Sequence, residues 1–103
     1  RGRTRIQMEL GGRAEARLTL FNSTGQRGVG LVVGADDAPF VSLFDVAGAQ
    51  RLVMSIVQGS TVVNLGDGTR PRLVLGVAET GRASVAFYDA EGTIEREVSA
   101  DGP

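Results

Sequence analysis

The sequence predicts an all-β fold, an antiparallel meander of about eight or nine short strands built from tandem β-hairpin repeats. Three observations predict it. Apolar residues alternate with polar or small residues at a period of two, which is typical of strands. Residues that favour turns interrupt this alternation at short, regular intervals. No segment keeps the 3.6-residue period of a helix over a helix's usual length.

The same pattern returns about every 24 residues. A bulky apolar residue followed by Asn or Asp recurs as "LFN" at 20–22, "LFD" at 43–45 and "FYD" at 87–89, whereas the third copy reads "LGD" at 65–67. Arginine recurs in step, at Arg3, Arg27, Arg51, Arg72 and Arg96. We therefore interpret residues 1–103 as one repeat domain, with copies at about 3–26, 27–50, 51–71 and 72–95 and a partial fifth copy at 96–103.

Each copy contains two predicted strands, taken here in chain order. The first strand of each copy places these residues on one face: Ile6, Met8 and Leu10; Val29, Leu31 and Val33; Leu52, Met54 and Ile56; Leu73, Leu75 and Val77. The second strand adds these to the same face: Leu18 and Leu20; Val41 and Leu43; Val63 and Leu65; Val85 and Phe87. We expect this face to form the core.

Turns separate the strands. Within copies they read "LGGR", "GADDAP", "QGS" and "ETG", and between copies they read "NSTGQ", "DVAGAQ", "GDGTRP" and "DAEGT". An Asn or Asp at the start of a turn accepts hydrogen bonds from the following backbone, and Gly adopts the positive φ that many turns need. The recurring acidic residue is therefore predicted to form turns rather than to bind a ligand.

The reverse face of the predicted sheet is also apolar, because an aromatic residue directly follows Leu20, Leu43 and Phe87. We expect a second subunit to cover this face, or else a curled sheet that leaves single apolar residues in water. The candidate contact residues are Phe21, Phe44, Tyr88, Val32, Val53 and Val74. Gly66 replaces the aromatic residue in the third copy, which predicts a bulge or a close approach of another backbone segment.

The first and last strands carry opposite charges. Arg3 and Arg5 lie on the first strand, and Glu95 and Glu97 lie on the last. Charged residues on end strands commonly protect sheet edges from aggregation. Two alternatives remain open: the two strands meet within one chain and close a small up-and-down barrel that holds an apolar ligand, or they join copies head to tail.

Composition argues against catalysis. The chain has no His, Lys, Cys or Trp, so that the commonest general base and metal ligand, the thiol nucleophile and the amine that forms Schiff bases are all missing. Asp36 and Asp37 are the only adjacent carboxylates, and "GVGLVVG" at 28–34 lies within a strand rather than before a helix. We predict no enzyme, no catalytic residue, no cofactor and no metal. A net charge of −1 argues against nucleic acid as a partner, and no apolar run is long enough to be a transmembrane segment.

The unit "RLVLGVAETGRASVAFYDAEG" at 72–92 resembles tandem repeats in a loosely defined group of bacterial proteins, often predicted to lie outside the cytoplasmic membrane behind an N-terminal anchor. The resemblance covers nearly all of residues 3–97 and implies an extracytoplasmic, all-β repeat domain, and it transfers no catalytic residue to this chain. Because the chain begins at Arg1 without Met, we interpret it as a trimmed piece and leave an upstream signal or membrane tether open. We predict a non-enzymatic structural or interaction module that forms homo-oligomers or joins a cell-envelope complex.

Overall fold

A computed structural model describes residues 5–11, 15–34 and 36–100, and over these ranges all regular structure is β. The described residues form nine strands: β1 (Ile6–Leu10), β2 (Ala16–Phe21), β3 (Arg27–Val33), β4 (Pro39–Phe44), β5 (Gln50–Val57), β6 (Ser60–Gly66), β7 (Pro71–Val77), β8 (Ala83–Tyr88) and β9 (Ile94–Ser99). Every predicted alternating run lies in one of these strands. The expected all-β class is therefore confirmed.

The sheet is an open meander. Each strand pairs antiparallel with the next, in the order β1 to β9, and β1 and β9 lie at opposite edges. The predicted meander is confirmed, and the alternative of a closed barrel is wrong. Nine is an odd number, so β1 and β9 run in the same direction. A closing pair would have to be parallel in a sheet whose other pairs are all antiparallel.

A register shift recurs at the same point of four hairpins, between the last two residues of β2, β4, β6 and β8. The following strand carries one extra residue at each shift, as in a β-bulge. The extra residues are Gly28, Arg51, Arg72 and Glu95. Structurally equivalent positions are therefore 23, 21 and 23 residues apart. Arg27 and Arg96 each lie one residue away from the position that Arg51 and Arg72 occupy, so the arginine spacing only approximates the structural repeat.

The sheet has two distinct faces. The aliphatic face is the one that carries Leu20, Leu43 and Phe87, together with the residues that the pairing aligns with them. The aromatic face carries the neighbouring Phe21, Phe44 and Tyr88. The predicted separation of each aromatic residue from its aliphatic neighbour is confirmed, because successive residues of a strand point to opposite faces.

The expectation that the aliphatic face forms a buried core was wrong. Leu20, Leu43 and Phe87 are 37, 40 and 41% exposed. Among the described residues, those below 9% exposure are Thr19, Ser42 and Ala86, and all three lie on the aromatic face. The aromatic face is covered by its own large side chains, which lie over small ones, whereas no segment within residues 5–11, 15–34 and 36–100 packs on the aliphatic face.

The sheet forms a single layer. The chain measures 54 × 30 × 17 Å and has a radius of gyration of 16.0 Å, whereas a compact domain of this length would have about 13 Å. Its accessible surface of 7249 Å² exceeds the roughly 5,500 Å² expected for a compact monomer of this mass. The described residues contain no helix of the length and hydropathy needed to cross a membrane.

Candidate functional site

The aliphatic face is concave and forms an apolar groove. A trough of about 910 Å³ crosses β1 to β6, and its floor includes Leu18, Leu31, Val41 and Met54. A second depression of about 390 Å³ continues over β7, β8 and β9. The two share Thr61 and Val63, so that together they form one groove across the sheet. We call this surface the aliphatic groove.

The aromatic face contains all six candidate contact residues, and each of them is half-buried. Val53 and Val74 lie on either side of Asn64, whereas the three aromatic residues lie at strand ends. That these residues form an interface remains a prediction.

Polar side chains cover part of this aromatic face. The guanidinium carbon of Arg27 lies 4.7 Å from the centre of the Phe44 ring, within range for a cation–π contact. The side-chain amide of Gln50 donates a hydrogen bond of 3.1 Å to the Ser42 hydroxyl beneath it. The aromatic face therefore presents less free apolar surface than the aliphatic face.

The charged edge residues that the structure describes do not meet. Glu95 and Glu97 are exposed on β9 at one edge of the sheet, and Arg5 precedes β1 at the other. Arg3 lies outside the described residues. Pairing of the basic and acidic strands within one chain is thus excluded by the strand order.

Three arginines share a role that sequence reasoning missed. The Nε atoms of Arg5, Arg51 and Arg72 donate to main-chain carbonyl oxygens of the neighbouring strand, at 3.0, 2.9 and 2.8 Å. The accepting residues are Phe21, Gly66 and Tyr88. Each arginine immediately precedes the first aliphatic residue of its strand. This position, rather than the 24-residue spacing, is the feature of the sequence that identifies the arginines that make these contacts. These contacts fasten the strand ends where the register shifts.

The recurring Asn and Asp residues form turns, as predicted. Asp45 Oδ1 accepts from the backbone N–H groups of Ala47 and Ala49, each at 3.0 Å. Asn22 and Asp89 accept in the same way, from the second and fourth residues after them. In the shorter loop between β6 and β7, Asp67 accepts from the backbone N–H groups of the second and third residues after it. Gly48 closes its turn with a φ of 91°, a conformation that other residues rarely adopt.

These hydrogen bonds make two of the carboxylates stronger acids. The backbone N–H of Ala49, assisted by Arg51, lowers the pKa of Asp45 below its ordinary value, and the backbone N–H of Arg70 does the same for the pKa of Asp67. A folded-state pKa below the unfolded-state value means that the carboxylate stabilises the fold at neutral pH. That contribution is lost as the pH falls through the folded-state pKa.

We therefore expect the urea concentration at the midpoint of unfolding to decrease as the pH is lowered from about 5 to about 2. This decrease should be smaller in the double variant Asp45→Asn/Asp67→Asn. Asn keeps the acceptor oxygen, as Asn22 shows, but carries no charge. The matched control is Asn22→Asp, which should steepen the pH dependence. An unchanged slope in the double variant would contradict this account.

Carboxylates are the main candidates for a metal site in this chain, which has no His or Cys. The described residues contain no group of three or more acidic residues able to hold a metal ion. Asp36 Oδ1 accepts from the Ala38 backbone N–H at 3.1 Å, as a turn residue would. No protein-family model matches the sequence, and no curated protein is significantly similar to it. The resemblance to extracytoplasmic bacterial repeats therefore stays a prediction.

Proposed function

We propose that this chain is a non-enzymatic structural module that assembles with copies of itself through the aliphatic face. One observation carries the proposal: a single-layered sheet leaves its more continuous apolar face open to water. Apolar sheet faces are ordinarily buried against a second layer, and isolated patches of this extent are typical of interaction surfaces. Among the described residues, large apolar side chains exposed on this face occur in eight of the nine strands, all except β6.

The area of the face suits a second copy. Nine strands spaced about 4.8 Å apart and about 20 Å long give a face of roughly 850 Å². Stable interfaces of standard size bury about 800 Å² on each partner. One copy of the same sheet would therefore cover the aliphatic face almost completely.

The geometry of such a pair is that of a β-sandwich. Two sheets that pack face to face lie about 10 Å apart, with side chains from both inner faces interdigitating. The aliphatic grooves of the two copies would then face each other, with Met54 and Leu75 among the side chains that meet across the interface, and the aromatic faces would point outwards. The outward aromatic face is then free for a different protein, such as a cell-envelope partner, which is an expectation drawn from the resemblance alone.

The direct test is the mass of the purified chain in solution. We expect sedimentation velocity and light scattering at micromolar concentration to give twice the chain mass of 10.8 kDa, or a higher multiple. Dilution should shift the mass towards that of one chain. A concentration of about 100 µM is well above the dissociation constants of typical stable interfaces. If the chain remains a ligand-free monomer at all concentrations up to that value, the proposal is overturned.

A second candidate function is the binding of an apolar small molecule in the aliphatic groove. The trough of about 910 Å³ has a volume within the range of ligand pockets, about 300–1,000 Å³, and its lining is largely apolar. This candidate predicts a monomer that retains a bound lipid or pigment in native mass spectrometry and releases it on unfolding. Self-association without such a bound molecule would favour the first candidate.

A further inference from the structure

In the part of the chain that the structure describes, the edge strand β1 has free backbone groups at defined positions. The Phe21 N–H donates to the Arg5 carbonyl at 2.8 Å, and the Gly11 N–H donates to the Glu15 carbonyl at 2.6 Å. In an antiparallel pair, alternate residues bond to the same neighbour. Odd-numbered residues of β1 therefore bond to β2, and the N–H and C=O groups of Ile6, Met8 and Leu10 point away from the sheet.

The sequence of β1 matches itself in the antiparallel direction. With two copies centred on Met8, Ile6 lies opposite Leu10 of the second copy and Gln7 lies opposite Glu9 of the second copy. No like charges face each other, and the apolar residues stay on one face. Ile6, Met8 and Leu10 are 62, 78 and 82% exposed, more than the large apolar residues exposed in any other strand.

The opposite edge is unsuited to such pairing. β9 carries three consecutive charged residues, Glu95, Arg96 and Glu97, and its register is broken at Glu95. Charged residues and bulges are features that protect sheet edges. By contrast, β1 pairs with β2 over five consecutive residues without a shift. The two edges therefore differ in their capacity to accept another strand.

We propose that β1 is a second contact between copies of this chain, in which two β1 strands pair antiparallel about a two-fold axis through Met8. The free groups of Ile6, Met8 and Leu10 then form the new backbone hydrogen bonds, and the two sheets become one continuous sheet with both aliphatic faces on the same side. A head-to-tail contact of β9 with β1 would be a parallel pair, because the two strands run in the same direction. The edge contact leaves the aliphatic groove free and is independent of the face-to-face assembly proposed above.

Cysteine cross-linking tests the register, because the chain contains no native Cys. In the proposed pair the two Met8 Cα atoms lie about 5.5 Å apart, within the range of about 4.4–6.8 Å that a disulfide can bridge. Met8→Cys should therefore form a disulfide-linked dimer under mild oxidation. Ile6→Cys alone and Leu10→Cys alone should not form a disulfide-linked dimer. In each of these variants the substituted positions of the two copies are about 13 Å apart along the strands. An equimolar mixture of these two variants should form the mixed dimer.

Failure of Met8→Cys to cross-link, or equal cross-linking of Ile6→Cys alone, would overturn the edge contact. Adding Leu31→Glu distinguishes it from face-to-face assembly, since Leu31 lies in the groove and not on the edge. We expect the double variant to retain the cross-link. In the unmodified chain, hydrogen exchange gives a second readout: the Met8 amide should be protected at high protein concentration and unprotected after dilution.

Discussion

Replacing Leu31 with Glu is expected to abolish face-to-face assembly and weaken association by at least about 100-fold. Leu31 lies in the middle of the aliphatic groove, where the pairing places it between Leu18 and Val41. In the assembled protein each copy would bury one unpaired carboxylate against aliphatic side chains, and such burial costs several kcal/mol. In the separate chain the same side chain is part-exposed, so that the carboxylate reaches water and the sheet still forms.

The measurement is sedimentation velocity over a range of concentrations, with circular dichroism to verify the β-sheet spectrum. Val46→Glu is the matched control, because Val46 is also an exposed apolar residue but lies in the loop between β4 and β5. Thermal unfolding adds a second readout: the rise of the midpoint with protein concentration should be smaller in Leu31→Glu than in the unmodified chain and in the control, because only the β1 edge contact remains in that variant. Equal association of both variants would place the interface elsewhere.

Replacing Gly66 with Phe is expected to destabilise the fold by about 1–3 kcal/mol, even though three other copies carry an aromatic residue at this place. A Cβ atom on Gly66 would lie 2.9 Å from the Arg70 carbonyl oxygen, closer than side chains tolerate. The cause is the short loop between β6 and β7, in which the Asp67 N–H donates to the carbonyl oxygen of Arg70, three residues later in the chain. The corresponding bond at Asp45 reaches the fourth residue, Ala49.

Loop length should therefore control tolerance of the aromatic residue. If residues 67–70 are replaced by the five-residue sequence of 89–93, Gly66→Phe should cost little relative to that longer-loop parent. Urea unfolding of the four proteins gives a double-mutant cycle, and its coupling free energy isolates the clash from the general effect of the loop. A cost that is the same with both loops would show that the short turn is not what requires glycine.

The strands, the turns and the separation of the two faces were predictable from the sequence because each depends on neighbouring residues. Alternation with a period of two places Leu43 and Phe44 on opposite faces whatever surrounds them. Asp45 meets its hydrogen-bond donors within four residues, so its turn needs no distant contact. These local requirements determined the all-β class, the antiparallel meander and the position of every hairpin.

The tertiary structure decided what local patterns leave open. Periodicity distinguishes two faces but does not state which is covered, and here Leu43 is the more exposed residue while Ser42 is buried. Periodicity also does not reveal the bulges. Arg51 and Arg72 occupy equivalent positions in these bulges, whereas Arg27 and Arg96 each lie one residue away from that position. Whether the sheet closes depends on the first strand meeting the ninth. The strand order places these two strands at opposite edges of an open sheet, and the odd number of antiparallel strands makes them run in the same direction.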